Sequence, residues 1–281
     1  MIATGLRRLP LLIAGCALAS ASSHAFGADS SAWDRDARAG IRLIAGNASS
    51  DGAQRAGLEM NLAPGWKTYW RYPGDSGVPP RFDFARSENV KSVSVLWPAP
   101  RRIEEAGGFT IGYKEHVVFP LHIVPQDKTK PVVLRLKLDY AICEKLCVPA
   151  EGSAELPLIG TKSSLDGALA AAEAQVPKPA ALNDGKAFAI RSVHRDAAGT
   201  PQKVFVDVAA PENAKVDLFA EGPTESWALP LPAPVSGAPA GQRRFAFDLD
   251  GLPSGAKAEG AELVLTAVAP EGAIEVKARL D

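Results

Sequence analysis

The run Cys143-Glu144-Lys145-Leu146-Cys147-Val148-Pro149 constrains the fold of this chain more than any other feature, because it sets two cysteines four apart at the end of the apolar alternating stretch Val132 to Ile142. In a continuous strand rising about 3.3 Å per residue their Cα atoms would stand roughly 13 Å apart, whereas a disulfide needs about 4.4 to 6.8 Å. The chain must therefore fold back after Cys143 for the two to pair. A bond between them closes only a short loop, and short loops gain least from restriction of the unfolded chain. A pair that staples so little suits redox chemistry better than structural support, with a local structural disulfide as the alternative.

The compartment is read from the N-terminus. Arg7 and Arg8 precede the apolar stretch Leu9 to Ala21, and Ser23-His24-Ala25 supplies small residues ahead of a cut, so residues 1–25 read as a secretory signal peptide. Leu12-Ile13-Ala14-Gly15-Cys16 also fits a bacterial lipoprotein signal, in which Cys16 would be lipidated. Either way Cys143 and Cys147 remain as the pair in an oxidising compartment. Loss of Arg7 and Arg8 moves the formal net charge from −1 to −3, and no basic patch stands out, so no nucleic acid partner is expected. No later segment approaches the roughly 20 continuous apolar residues that cross a bilayer, so the mature chain is expected to have no transmembrane segment. Hydrolase motifs are lacking too: there is no Gly-x-Ser-x-Gly elbow, no His-Glu-x-x-His and no phosphate-cradling glycine loop.

A mature chain of about 256 residues favours two domains. Short β-rich runs, Ile41 to Ala45, Val90 to Leu96, Val117 to Val124 and Val132 to Ile142, recur between Gly, Pro, Asn and Asp clusters and predict an antiparallel β-sandwich over 33–162. Ser164 to Val176 is Ala-rich with a Ser-type start and Pro177 and Pro179 after it, which predicts a helix, followed by a linker over 178–185; helix and linker together occupy 163–183 or slightly more. Phe188 to Val193, Val204 to Val208, Val216 to Ala220, Arg244 to Leu249, Leu263 to Ala267 and Ile274 to Ala278 alternate again at sandwich-like spacing over 184–281. The expected class is all-β: two immunoglobulin-like antiparallel sandwiches joined by a short helix and linker.

Gly65-Trp66-Lys67-Thr68-Tyr69-Trp70-Arg71-Tyr72-Pro73-Gly74-Asp75-Ser76-Gly77, followed by Pro79-Pro80 and Phe82-Asp83, resembles the signature of the periplasmic N-terminal domain of DsbD-type thiol:disulfide interchange proteins, particularly the ScsB-like copper-tolerance branch. Tyr140-Ala141-Ile142-Cys143 to Cys147-Val148-Pro149-Ala150-Glu151 resembles that family's redox motif in place and flanks. The resemblance covers about residues 38–180, and two-domain ScsB-like versions account for 184–281 as a companion. It implies a domain that takes electrons from a membrane-embedded thiol reductase and passes them to periplasmic thioredoxin-like proteins, as in cytochrome c biogenesis, with no cofactor beyond the cysteine pair. By the same resemblance Cys147 would form the mixed disulfide and Cys143 would resolve it. The C-x3-C spacing is narrower than in the better-known DsbD domain, and the donor is expected to be a separate protein.

The resemblance also implies a cap loop shielding the pair. The matching stretch runs from Ile103 to Tyr113, with Phe109 as the expected tip over the sulfurs, Tyr113 as a second candidate, and Glu104, Glu105 and Tyr140 in the surroundings. Gly107, Gly108 and Gly112 would make it deformable. An ordinary hairpin with Phe109 in the core is the competing reading. Trp66, Tyr69 and Trp70 are expected in the sandwich core rather than on a ligand-binding shelf, and Asp75 is expected to cap a turn.

Two other functional classes fit the same cysteines. Thiolates suit Cu(I), and His116 and His122, six apart, would share a face of a continuous strand and complete a site with Cys143 and Cys147. Against this, Met60 is the only methionine after the signal, and no histidine follows Cys147 until His194. A non-enzymatic binding module with a structural disulfide is the remaining alternative.

Overall fold

The computed structural model describes Met1 and residues 28–73, 77–105, 108–159 and 162–281; the expected signal peptide with Cys16, and Asp75, lie outside them. The first eleven strands are β1 (Asp34–Arg35), β2 (Ala39–Ala45), β3 (Gln54–Leu62), β4 (Lys67–Tyr69), β5 (Arg81–Asp83), β6 (Val90–Val95), β7 (Arg101–Glu105), β8 (Gly108–Lys114), β9 (His116–Pro125), β10 (Val132–Cys143) and β11 (Cys147–Leu158). They build two facing sheets, β1-β2-β3-β9-β6 and β11-β10-β4-β8-β7, with β5 added to β10. Every pairing in them is antiparallel.

Strand β10 shows why this sequence makes a sandwich. Val132, Leu134, Leu136, Leu138, Tyr140 and Ile142 are all buried between the sheets, while Lys137 and Asp139 face solvent, as the two-residue period of a strand requires. Ile41, Leu43, Leu58, Met60, Phe119, Leu121 and Ile123 meet them from the other sheet. Each such aliphatic side chain contributes about 1.5 to 3 kcal/mol on full burial.

Helix α1 (Asp166–Glu173) is shorter than the expected Ser164 to Val176. The carboxylate of Asp29 accepts from both the backbone N–H and the hydroxyl of Ser164, which holds that residue outside the helix. At the other end, the N–H groups of Gln175 and Val176 reach back only three residues, to Ala172 and Glu173, in a tightened turn before Pro177. Leu169 and Ala172 pack on Ile44 and Val118, and Arg55 pairs with Asp166 and Glu173, so the helix is bound to the N-terminal sandwich.

The C-terminal sandwich contains β12 (Lys178–Pro179), β13 (Ala189–Asp196), β14 (Lys203–Ala209), β15 (Asp217–Glu221), β16 (Ala233–Val235), β17 (Gln242–Asp248), β18 (Glu262–Ala269) and β19 (Gly272–Arg279). Its sheets are β12-β19-β18-β15 and β13-β14-β17-β16. The segment expected to be a linker thus begins as an edge strand, parallel to β19 at Ile274 and Glu275. Val204, Val206 and Val208 face Leu263, Leu265, Val276 and Ala278 in a second core.

The two sandwiches touch through β15. Leu218 and Ala220 point into the C-terminal core, but Phe219 is fully buried in the N-terminal one, with its ring centroid 5.8 Å from that of Trp70. A strand buried on both faces reads as an unbroken apolar run, and Leu218-Phe219-Ala220 is such a run.

Candidate redox site

Strands β10 and β11 pair along their full lengths, from Val132 opposite Leu158 to Cys143 opposite Cys147, leaving Glu144, Lys145 and Leu146 as a three-residue turn. The fold-back demanded by the spacing is therefore a hairpin end. It brings the two Cα atoms to 4.1 Å, and the sulfurs are joined in a disulfide. The two cysteines differ in access. Cys143 is 3% exposed, whereas Cys147 stands at the surface beside Leu146, an apolar side chain that is 80% exposed.

Register sets the neighbours. Cys143 lies opposite Lys67 of β4, and Lys67 lies opposite Lys114 of β8, so Cys147, Cys143, Lys67 and Lys114 form one row across the sheet on its outer face. Lys67 is only 5% exposed, and its ammonium donates to the Glu144 carbonyl in the turn at 3.4 Å. Two lysines directly opposed oppose sheet stability, and departures of this kind cluster at functional sites.

Tyr69, two residues along β4 from Lys67, shares that face. Its hydroxyl lies 2.9 Å from Cys147 Sγ. A sulfur in a disulfide carries no hydrogen, so the hydroxyl donates. With Ala141 the Tyr69 ring forms the small apolar cluster that covers Cys143. Two glycines permit this packing. A Cβ on Gly77 would meet the Tyr69 ring at 2.6 Å, and one on Gly112 would lie 2.0 Å from the Thr68 carbonyl oxygen, blocking the approach of β8 to β4. Thr68, on the opposite face, ties the strand to β10 by donating to the Ala141 carbonyl at 2.9 Å.

The structure redistributes the expected surroundings of the pair. Phe109 belongs to the β7–β8 hairpin, where it faces Glu104, and its ring lies under the Arg102 guanidinium at 5.3 Å. It is five residues along β8 from Lys114, the residue level with the cysteines, or about 16 Å at strand rise. In this conformation it covers neither sulfur, nor does it enter the core. Glu104 is exposed, and the Glu105 side chain lies outside the described residues. Tyr113 and Tyr140 are corrections: both fall on the inner face. Tyr113 donates to the Pro98 carbonyl and packs edge-on against Phe119, and burial holds its pKa well above that of ordinary tyrosine. Tyr140 has even parity on β10, opposite to that of Cys143, and burial, then the Asp36 and Asp34 charges, push its pKa up to about 12. Trp70 is core as expected, while Trp66 is half-buried near the Arg38 guanidinium.

His116 and His122 also separate from the cysteines. Both lie on β9 of the other sheet, His116 against Glu59 at 3.1 Å, so the four-residue set does not assemble into one site. Among the described residues no three His, Cys, Asp or Glu side chains converge as a metal-binding group. Tyr69 and Lys67 are the site residues that sequence reasoning missed. Their signal was present in the motif Gly65 to Gly77, but pairing with β10 was needed to aim it at the sulfurs.

Residues 42–159 match the family model described as thiol:disulfide interchange protein DsbD, N-terminal. The N-terminal sandwich is a domain of this type. It is a thiol:disulfide interchange module, carrying its cysteine pair at the β10–β11 turn. Both sandwiches together resemble the crystal structure of the N-terminal periplasmic domain of ScsB from Proteus mirabilis, with a TM-score of 0.70 and 23% sequence identity over 90% of this chain and 98% of that one. A search of curated proteins gave no match. Among the described residues no helix is long and apolar enough to cross a membrane.

Proposed function

We propose that this protein is a periplasmic thiol:disulfide carrier, which accepts electrons from a membrane-embedded thiol reductase and passes them to thioredoxin-like partner proteins through Cys143 and Cys147. The observation that carries this reading is the asymmetry of the pair: one cysteine at the surface of a turn, the other buried with Tyr69 and Ala141. Exchange needs an accessible thiolate and a second thiol held close behind it. A turn already closed by the β10–β11 ladder needs no covalent staple.

In the reduced protein the Cys147 thiolate attacks a partner disulfide, forming an intermolecular S–S bond and expelling one partner thiolate. The Cys143 thiolate then attacks Cys147 Sγ, re-forms the Cys143–Cys147 bond and releases the second partner thiolate. Two electrons pass to the partner, and the two thiolates released take up protons from water. Tyr69 supplies a hydrogen bond to the attacking sulfur, and the Lys67 and Lys114 row adds positive charge nearby.

Trapping with a partner disulfide tests the roles. Cys143→Ala is expected to accumulate a mixed disulfide through Cys147, and Cys147→Ala to accumulate none; trapping through Cys143 would reverse the assignment. The reduction potential of the native pair tests the class of function. A value of about −120 to −270 mV supports a carrier, while one well below about −300 mV marks a structural bond.

A further inference from the structure

The four residues Tyr69 to Tyr72 connect the disulfide to the C-terminal sandwich without a break. Tyr69 donates to Cys147 Sγ. Trp70, fully buried, packs on Phe219 of β15. The Arg71 guanidinium lies 4.6 Å over the Trp70 ring and grips Glu221 of β15 through Nε at 2.9 Å and Nη2 at 2.6 Å, while Nη2 also donates to Glu275 of β19. The Tyr72 hydroxyl sits between the carbonyls of Trp227 and Leu229, at 2.8 and 3.0 Å.

The carboxylates come from a face that an isolated sandwich would turn to water. Phe219 and Glu221 share one side of β15, and Glu275 shares it through Thr266 of β18, which is register partner to both Phe219 and Glu275. Burial works against the Arg71 charge, but Glu221 and Glu275 outweigh it and hold the guanidinium pKa above its ordinary value. A second clamp acts two strands away. Arg102 of β7 donates to the Pro232 carbonyl at 2.8 Å, so the hairpin bearing Phe109 is also held by the C-terminal sandwich. Among the described residues, three buried side-chain atoms make no hydrogen bond, Trp70 Nε1, Thr266 Oγ1 and Arg102 Nε, the last standing 3.6 Å from the Asp217 carboxylate of β15 as an ion pair, and all belong to residues of this junction. Such atoms are rare in a well-packed interior, and their clustering sets this contact apart from ordinary core.

The geometry points to the C-terminal sandwich as a working part of the redox site, with Arg71 as a positioning residue that holds the Tyr69 hydroxyl on Cys147. The pair's equilibrium with a small dithiol is then set partly by β15 and β19, although neither strand approaches the sulfurs in register. This deepens the carrier reading and rests on it for its biological use. The coupling itself is measured without any protein partner.

The test uses the full mature chain in four forms: native, Tyr69→Phe, Arg71→Met and the double variant. Each is equilibrated with a dithiol redox series, and formation of the Cys147 thiolate is followed against pH in a Cys143→Ala background. Arg71→Met is expected to shift the thiol–disulfide equilibrium about threefold to tenfold toward the disulfide and to move thiolate formation to higher pH. Tyr69→Phe should do the same, and the double variant should go no further than Tyr69→Phe alone. Additive shifts, or an Arg71→Met protein that melts earlier with a native equilibrium and native thiolate titration, would overturn the proposal. Should Arg71→Met fail to fold, Glu275→Gln keeps the Glu221 fork and is read in the same assays, with a native equilibrium again the overturning result. A native protein with a structural-bond potential would refute the carrier reading but leave the coupling measurable.

Discussion

Along β10 of the N-terminal sandwich and β14 of the C-terminal one, alternate residues enter an apolar core in the same way: Leu134, Leu136 and Leu138 in the first, Val204, Val206 and Val208 in the second. Their outward residues diverge. On β14 the outward Asp207 is buried yet fully engaged, gripped by Arg244 with two bonds of 2.7 Å and by the Ser192 hydroxyl at 2.9 Å. On β10 the outward row begins with comparable pairs, Arg135 with Glu88 and Glu155, then Lys137 with Asp139 and Glu151, but ends in Ala141 and Cys143 beneath a tyrosine whose hydroxyl meets sulfur. Paired charges on a strand exterior stabilise a fold. A disulfide beside opposed lysines and an exposed leucine is arranged for exchange instead, and of the two strands only β10 ends in one.

The largest expected effect probes that difference. Asp207→Ala removes the carboxylate that accepts from both Arg244 and Ser192, which should give the largest loss of stability of these variants in denaturant unfolding. The potential of the cysteine pair should stay native; a shifted potential would show that the outer sheet of the C-terminal sandwich also reaches the redox site. Arg244, chiefly through its hydrogen bonds, holds the Asp207 carboxyl below the usual carboxylate range. Its stabilisation is therefore fully present above that range and lost as pH falls through the lowered value, so native and variant proteins should converge in acid.

Tyr140 tests the boundary between the two faces of β10. Its folded pKa of about 12 lies above the ordinary tyrosine value of about 10. A raised pKa means that stability is intact below about pH 10 and declines as pH rises from 10 through 12, by about 1 to 2 kcal/mol once solvent screening of the hydroxyl is allowed for. Tyr140→Phe should remove that alkaline loss and leave the potential unchanged. A changed potential would mean that the inner face takes part in the chemistry after all.

Tyr69→Phe sharpens the contrast from the redox side. A hydrogen bond to a charged acceptor contributes about 1.5 kcal/mol or more, and here it favours the thiolate over the disulfide sulfur. Its loss should make the pair more reducing by about 30 mV where Cys147 is ionised. An unchanged potential would reduce the Tyr69 hydroxyl to a packing contact.

Much of this was legible from alternation and spacing. Val132 to Ile142 announces β10 because every second residue is apolar, and two cysteines four apart require a turn. Parity along β10 already separates Tyr140 from Cys143, yet the family resemblance grouped them because they are close in the chain. Lys67 and Tyr69 stayed hidden for the opposite reason: they lie far from the cysteines in sequence and reach them only through the pairing of β4 with β10. Phe219 was expected within a strand but not within the other sandwich, since periodicity reports that a residue is buried and not against what. His116 and His122 do share a strand, but a sandwich has two sheets, and spacing along one strand says nothing about the other.

The smallest effect concerns Leu146, which lies in the turn next to the attacking sulfur and is, after Met1, the most exposed large apolar side chain among the described residues. Full burial of a leucine contributes about 1.5 to 3 kcal/mol, and contact with a partner at a turn tip would realise about half of that. Leu146→Ser should therefore slow exchange with a protein disulfide several-fold. Exchange with a small dithiol should proceed at the native rate, because such a reagent has no surface to place against the turn. The comparison of the two reagents separates partner contact from sulfur chemistry. Equal slowing with both would mean that Leu146 shapes the turn itself, and the redox end of β10 would then owe its access to local conformation and not to a docking surface.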